Sequence, residues 1–373
     1  MKNDGSTNAP ANADAPATTV EPTESAWMRF WFTPMPTTGL HALRVLSGLL
    51  FLAWLLSFLG HQREFFSLTG WFGKEAYVEV QRQGNLASAP IGWSMLYLAD
   101  ESVEMFQAMY WGSLVVLALF TIGVATRITG VLTWVIVVSF LANPAINYDG
   151  DYMLGILAFY MALVHLYVGQ WSRDLSIPAR ILGSRGDMLL ANRLFPDDAP
   201  PAPSFAANFV LRLMQIHFVI IMLTSGLHKL QIPEWWSGVA FWIPLHPTFK
   251  TTLESLERER PGAAFTLFYL SLAQYLVLAW QIGLPMFAWR AGWWRVALVG
   301  GAIVGWVGGF YIYQLPLFGP FMVIMALSYL TPEEWKAVME RLRPRASETA
   351  EAQAVASEPV AVGSGAWKQG VKK

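Results

Sequence analysis

Residues 104–170 read EMFQAMYWGSLVVLALFTIGVATRITGVLTWVIVVSFLANPAINYDGDYMLGILAFYMALVHLYVGQ. Glu104, Arg127, Asp149 and Asp151 are the only charged residues in the stretch. Three apolar runs of nearly 20 residues follow one another, separated only by Gly-Val-Ala-Thr-Arg and by Asn-Pro…Asp-Gly. A run of about 20 apolar residues matches the hydrocarbon thickness of a bilayer as a helix. The gaps are turn chemistry. The stretch therefore predicts three consecutive membrane-spanning helices joined by tight turns.

The same reading extends outward. Further apolar runs cover roughly 40–60, 206–228, 262–289, 294–312 and 316–331, which gives about eight spans by length. The class expected is an all-α, polytopic integral membrane bundle. Only 14% of the 373 residues are charged and 54% are hydrophobic, against about a quarter charged in soluble domains. This excludes a soluble globular enzyme, a coiled coil and a disordered chain. Net charge −1 gives no reason to expect nucleic acid. The absence of Cys removes disulfides, thiolate metal sites and cysteine nucleophiles together.

Residues 1–26 and 344–373 are polar and lack apolar runs, so both read as disordered tails flanking a transmembrane unit at 27–335. The connections 61–103 and 229–261 mix Trp and Phe with Gly and charges, which suits the interface or a re-entrant path. With eight spans, 18 of the 25 Lys and Arg fall on the side holding both tails and 7 on the other. Positive charge accumulates inside, so both termini are expected in the cytoplasm, with Lys229 and the loop 143–150 on the outer face.

Polar residues near the membrane are costly and mark candidate sites. The segment SGLHKLQIPEWWSG, 225–238, ends the fifth apolar run. His217 and His228 lie eleven residues apart, near three helical turns, and so share a face. Lys229 follows where the helix leaves the membrane, and Trp235 and Trp236 suit an aromatic belt. Spacing alone leaves two readings: a snorkelling Lys beside the belt, or an amine in an apolar pocket, where the neutral form is favoured and can act as a base. Asn143, Asn147, Asp149 and Asp151 form a second group. They read as a turn with Asp151 capping the next helix, or as a polar cluster beside Lys229. Arg44, early in the first span, is expected to snorkel to the cytoplasmic surface, or else to pair internally with a carboxylate. Gly301, Gly305 and Gly309 have the spacing that lets transmembrane helices approach closely. No metal-ligand motif, P-loop or nucleophile elbow is present.

Taken in order, several segments resemble the horizontally transferred transmembrane (HTTM) family, which includes the vitamin K-dependent γ-carboxylases. The opening RFWFTPMPTTGLHALRVLSGLLFLAWLL with EFFSLTGWFG, the stretch from FTIGVATRITG to DGDYMLGILAFY, and above all SGLHKLQIPEWWSG carry the resemblance, over roughly 27–335. The resemblance implies a carboxylase-like lyase in which a Lys deprotonates vitamin K hydroquinone or menaquinol. Lys229 matches that Lys, and His228 falls on the Lys preceding it. His217, Asn147, Asp149, Asp151 and Trp235 would then help to bind a lipid quinone from the bilayer. Gln281 stands where many members carry an acidic residue, and Gly305 or Trp306 where they carry a His. The other expectation is a non-enzymatic membrane module, for binding, immunity or scaffolding, that keeps this fold. A transporter is disfavoured because there are no paired mid-membrane charges and no internal halves.

Overall fold

A computed structural model describes residues 25–71, 73, 75, 79, 94–99, 102–143, 149–168, 203–247 and 250–342. Residues 1–24 and 343–373, Asn147 and all of 169–202 lie outside the described residues. The end of the tail expected at 1–26 is helical instead, with Ser25 capping a helix that begins at Ala26. Among those described the regular structure is helical. Short helix α1 (Ala26–Phe32) leads into α2 (Thr38–Leu56), and α3 (Gln62–Phe66) follows. The next three helices are α4 (Val103–Ile122), α5 (Thr126–Leu141) and α6 (Asp149–Val168). The long α7 (Phe205–Lys229) precedes three short helices, α8 (Pro233–Ser237), α9 (Trp242–Leu245) and α10 (Leu253–Glu259). Helices α11 (Ala263–Phe287), α12 (Trp293–Tyr313), α13 (Phe318–Leu327) and α14 (Pro332–Leu342) complete the described chain.

The molecule is an all-α polytopic bundle. Six described helical segments are long and apolar enough to cross a membrane. They contain α2, α4, α6, α7, α11 and α12. The two other expected spans are shorter apolar helices. At 1.5 Å per residue the 16-residue α5 reaches about 24 Å and the 10-residue α13 about 15 Å. Both are shorter than the ~30 Å hydrocarbon core.

Consecutive long helices run in opposite directions, as their contacts show. Gly48 of α2 lies on Thr121 near the end of α4, while the Tyr110 hydroxyl near the start of α4 donates to Leu55 O at 2.9 Å. A Cβ on Gly48 would come 2.2 Å from Thr121 Oγ1, so the close approach requires glycine there. Gly130 of α5 backs onto His165, and Gly155 of α6 onto Leu141. Gly123, at φ 89°, closes α4 in the left-handed conformation that glycine adopts without strain. Gly226 of α7 meets Gln281 and Ile282 of α11, and Trp280 of α11 caps Gly301 of α12.

Two ends of the bundle follow. At the base end α1 is tied to the start of α7 by Asn208 Nδ2 donating to Phe30 O at 3.0 Å. An isolated bridge pairs Met35 with Ser204, and Trp335 of α14 lies over Gly39 of α2. The first and last described helices thus share this end. At the mouth end Asn143 donates to Phe65 O, and the short helices α8 to α10 gather.

The core contains Phe51, Phe106, Phe120, Phe140, Phe218 and Phe321, each nearly inaccessible. The best window of α2 is 67% buried, but those of the segments holding α11 and α12 are each 11% buried. These two helices present Phe265, Phe268, Leu276, Val304 and Tyr311 outward. Soluble proteins rarely expose apolar patches of this extent, whereas a lipid-facing surface requires them.

Candidate functional site

Lys229 is the last residue of α7, and the chain then turns sharply into α8 because Pro233 cannot continue a helix. Ile232 precedes α8 in extended backbone and Gly238, at φ 82°, ends it. The turn brings the α8 indoles back over the end of α7. Lys229 Nζ donates to Ser225 Oγ, one helical turn earlier, at 2.6 Å. It also lies 5.3 Å from the centroid of the Trp235 ring. Lys229 is half-buried and Trp235 is buried. Among the described residues no carboxylate lies within ion-pair distance of Nζ.

The apposition is held from α11. Gln274 is fully buried. Its Nε2 donates to Trp235 O at 2.8 Å, and its Oε1 accepts from Ala240 N at 3.0 Å. Tyr275 donates its hydroxyl to Trp236 O at 2.7 Å, and Ser271 donates to Gly238 O at 2.8 Å. Carbonyls at the end of α8, which have no partner within so short a helix, are thus satisfied by side chains of a different span.

Three residues before Lys229, Gly226 allows α7 and α11 to touch. A Cβ there would come 3.1 Å from Gln281 Cβ. Gln281 is 7% exposed, and its Oε1 is buried with no hydrogen-bond partner among the described residues. Such an oxygen is an exception in folded proteins.

The other expected residues divide. Trp235 joins Lys229, but the two histidines do not converge. Eleven residues of helix set them about 16 Å apart, and their surroundings differ despite the shared face. His217 is half-buried, with Nδ1 3.0 Å from the Tyr160 hydroxyl of α6, whereas His228 is exposed. Asp151 is buried, but α6 already begins at Asp149. Asp151 therefore sits within the first turn rather than at the cap, where a helix dipole still favours an anion. It shares the mouth end with Lys229, because α6 and α7 run in opposite directions. Of Asp149 the helix position is described, and Asn147 falls outside the described residues.

Arg44 departs from expectation. It does not snorkel to the surface: it is 0% exposed, with Nη1 3.3 Å from His41 Nδ1. His41 Nε2 in turn lies 3.2 Å from Thr37 Oγ1. Helices α4, α6, α13 and α14 all pack on α2, and Arg44 lies within the bundle rather than at its surface. The supporting residues Ser225, Gln274 and Gln281 were not singled out for this site from sequence. The available signal was a Gln on an apolar helix, seven residues apart at 274 and 281 and so on one face. Among the described residues no group of three or more His, Asp or Glu converges as a metal site. No family model, curated protein or solved structure matches the chain.

Proposed function

We propose that the chain is a multi-pass membrane protein of the HTTM type whose centre is Lys229, and that it takes a lipid quinol such as vitamin K hydroquinone or menaquinol at the bundle mouth. The observation that carries this reading is a half-buried amine without a carboxylate partner among the described residues, on a helix that adjoins an orphan buried acceptor. Lys229 Nζ is half-buried and has a hydroxyl and an indole face for neighbours. Gln281 Oε1, on the adjoining helix beside Gly226, is buried and unsatisfied. A quinol carries apolar rings for the Trp235 wall and two hydroxyls, one able to donate to Gln281 Oε1 and one able to lose its proton to an amine. The residues present therefore fit the group.

When bound, such a quinol together with oxygen supplies a strong base for carbon acids. The chain's own part is narrower. Lys229 accepts a proton at Nζ, Ser225 Oγ receives an N–H and fixes the amine's position, and Trp235, locked by Gln274, excludes water from one side. The Lys and Arg bias supports an outer-face position for this mouth and a cytoplasmic one for both ends of the chain.

The test uses Gln281→Leu. Replacing an unsatisfied buried amide with an apolar side chain of similar volume should leave stability unchanged or raise it by about 1 kcal/mol. If the amide holds a quinol, the variant should also lose quinone that wild type retains through purification, read by native mass spectrometry. A scaffold that keeps the fold without the ligand predicts the same gain in stability and no quinone in either protein.

A further inference from the structure

The base end gathers polar groups that the Lys229 chemistry does not use. Arg212 of α7 donates Nη1 to Gln215 Oε1 at 2.9 Å. The same oxygen accepts from Trp289 Nε1 at 3.0 Å, so both of its lone pairs are committed. Gln215 Nε2 donates to Ser328 O at 2.8 Å. Arg295 of α12 is 8% exposed. It donates Nη1 to Ala288 O at 2.9 Å, and its Nε lies 3.4 Å from Glu334 Oε2 of α14. That carboxylate oxygen also accepts from Thr331 N at 2.8 Å.

One partly exposed carboxylate thus faces Arg295, and among the described residues Arg212 has no carboxylate partner. The bonds linking Gln215 to Trp289 and Arg295 to Ala288, consecutive in the chain, tie both arginines to one short segment at the base end. Donors are also in excess. Arg212 Nε and Trp31 Nε1 are buried with no acceptor among the described residues. The Phe30 ring lies 4.6 Å from the Arg212 guanidinium carbon and edge-on to Trp31. Uncompensated buried charge is costly, and buried donors normally find acceptors. An anion with several oxygens would answer both needs. The cluster lies at the base end, where α1 and α14 pack on the bundle.

We propose that Arg212 and Arg295 hold a phosphate-class anion at the base end, supplied by an anionic phospholipid headgroup or by free phosphate. The planar guanidinium fork matches phosphate oxygens, and Glu334 competes with the anion for Arg295.

The experiment places full-length wild type, Arg212→Gln and Glu334→Gln in nanodiscs of phosphatidylcholine, with or without phosphatidylglycerol. Native mass spectrometry reads retained lipid, and thermal unfolding reads stability. Wild type should keep phosphatidylglycerol in preference to phosphatidylcholine. Arg212→Gln should lower that retention about tenfold, the loss of a charge-assisted contact, and Glu334→Gln should raise it. Inorganic phosphate added to phosphatidylcholine discs gives the second source. A higher melting point in wild type but not in Arg212→Gln, without preference for phosphatidylglycerol, assigns the site to free phosphate. Should Arg212→Gln fail to fold, the gain in Glu334→Gln still decides, because a purely structural ion pair predicts lower stability and no added lipid. Equal retention in wild type and Glu334→Gln, with no response to phosphate, overturns the proposal.

Discussion

Single residues decide how closely the helices approach, and α12 offers a comparison between neighbours. Gly301 lies under the Trp280 indole, where a Cβ would come 2.2 Å from Nε1. That indole donates to Ala297 O at 3.0 Å. Gly300, one position earlier, has nothing within 4 Å of the same added atom. Gly301→Ala should destabilise by about 1–3 kcal/mol through overpacking, whereas Gly300→Ala should stay within about 0.5 kcal/mol. Thermal unfolding of the two variants in one detergent checks the contrast. The four-residue glycine spacing indicated packing at 301 and at 305, which meets Met322 at 3.7 Å. It overreached at Gly309, which faces open space. The spacing shows which residues share a stripe, but not where the neighbouring helix leaves it.

At the level of elements, the spans were legible because a long apolar run is a local signal. The count was less so, since Thr126–Leu141 and Phe318–Leu327 make short helices within runs that read as full spans. Support for the site was not legible. Gln274 matters because α11 crosses the end of α8, and Arg44 is covered because helices from both ends of the sequence, α4, α6, α13 and α14, pack on α2. Neither arrangement has a trace in nearby sequence. The direction of the elements can be tested directly in a chain without native Cys. Ser25 caps α1 at the base end, and exposed Glu257 lies on α10 at the mouth. With the charge bias placing the base end inside, Ser25→Cys in intact cells should resist an impermeant maleimide and Glu257→Cys should react. The reverse pattern would invert the proposed orientation.

Across the whole molecule, the two ends are built differently. The base end holds an Arg212–Gln215–Trp289 group and an Arg295–Glu334 pair, and the mouth sets the half-buried Lys229 amine on the helix that adjoins the unsatisfied Gln281 oxygen. Interhelical polar bonds at the base add specificity where lipid offers little hydrophobic drive for helices to associate. The lightly covered helices α11 and α12 both border the mouth region, and α11 supplies Gln274, Tyr275 and Gln281. A hydrophobic ligand arriving through the bilayer would therefore meet the same helix that holds the site together.

The role of Lys229 as a base is separated from a snorkelling role by replacing it with a side chain that keeps the charge. Arginine stays protonated even when buried and can still reach the interface, so it preserves a snorkelling role and abolishes a base. Wild type, Lys229→Arg and Lys229→Ala are supplied with vitamin K hydroquinone or menaquinol and oxygen, and epoxide formation is measured alongside folded yield. The proposed role predicts epoxide from wild type, none from either variant, and similar folded yield in all three. Turnover by Lys229→Arg at the wild-type rate, or no turnover by wild type, would contradict it.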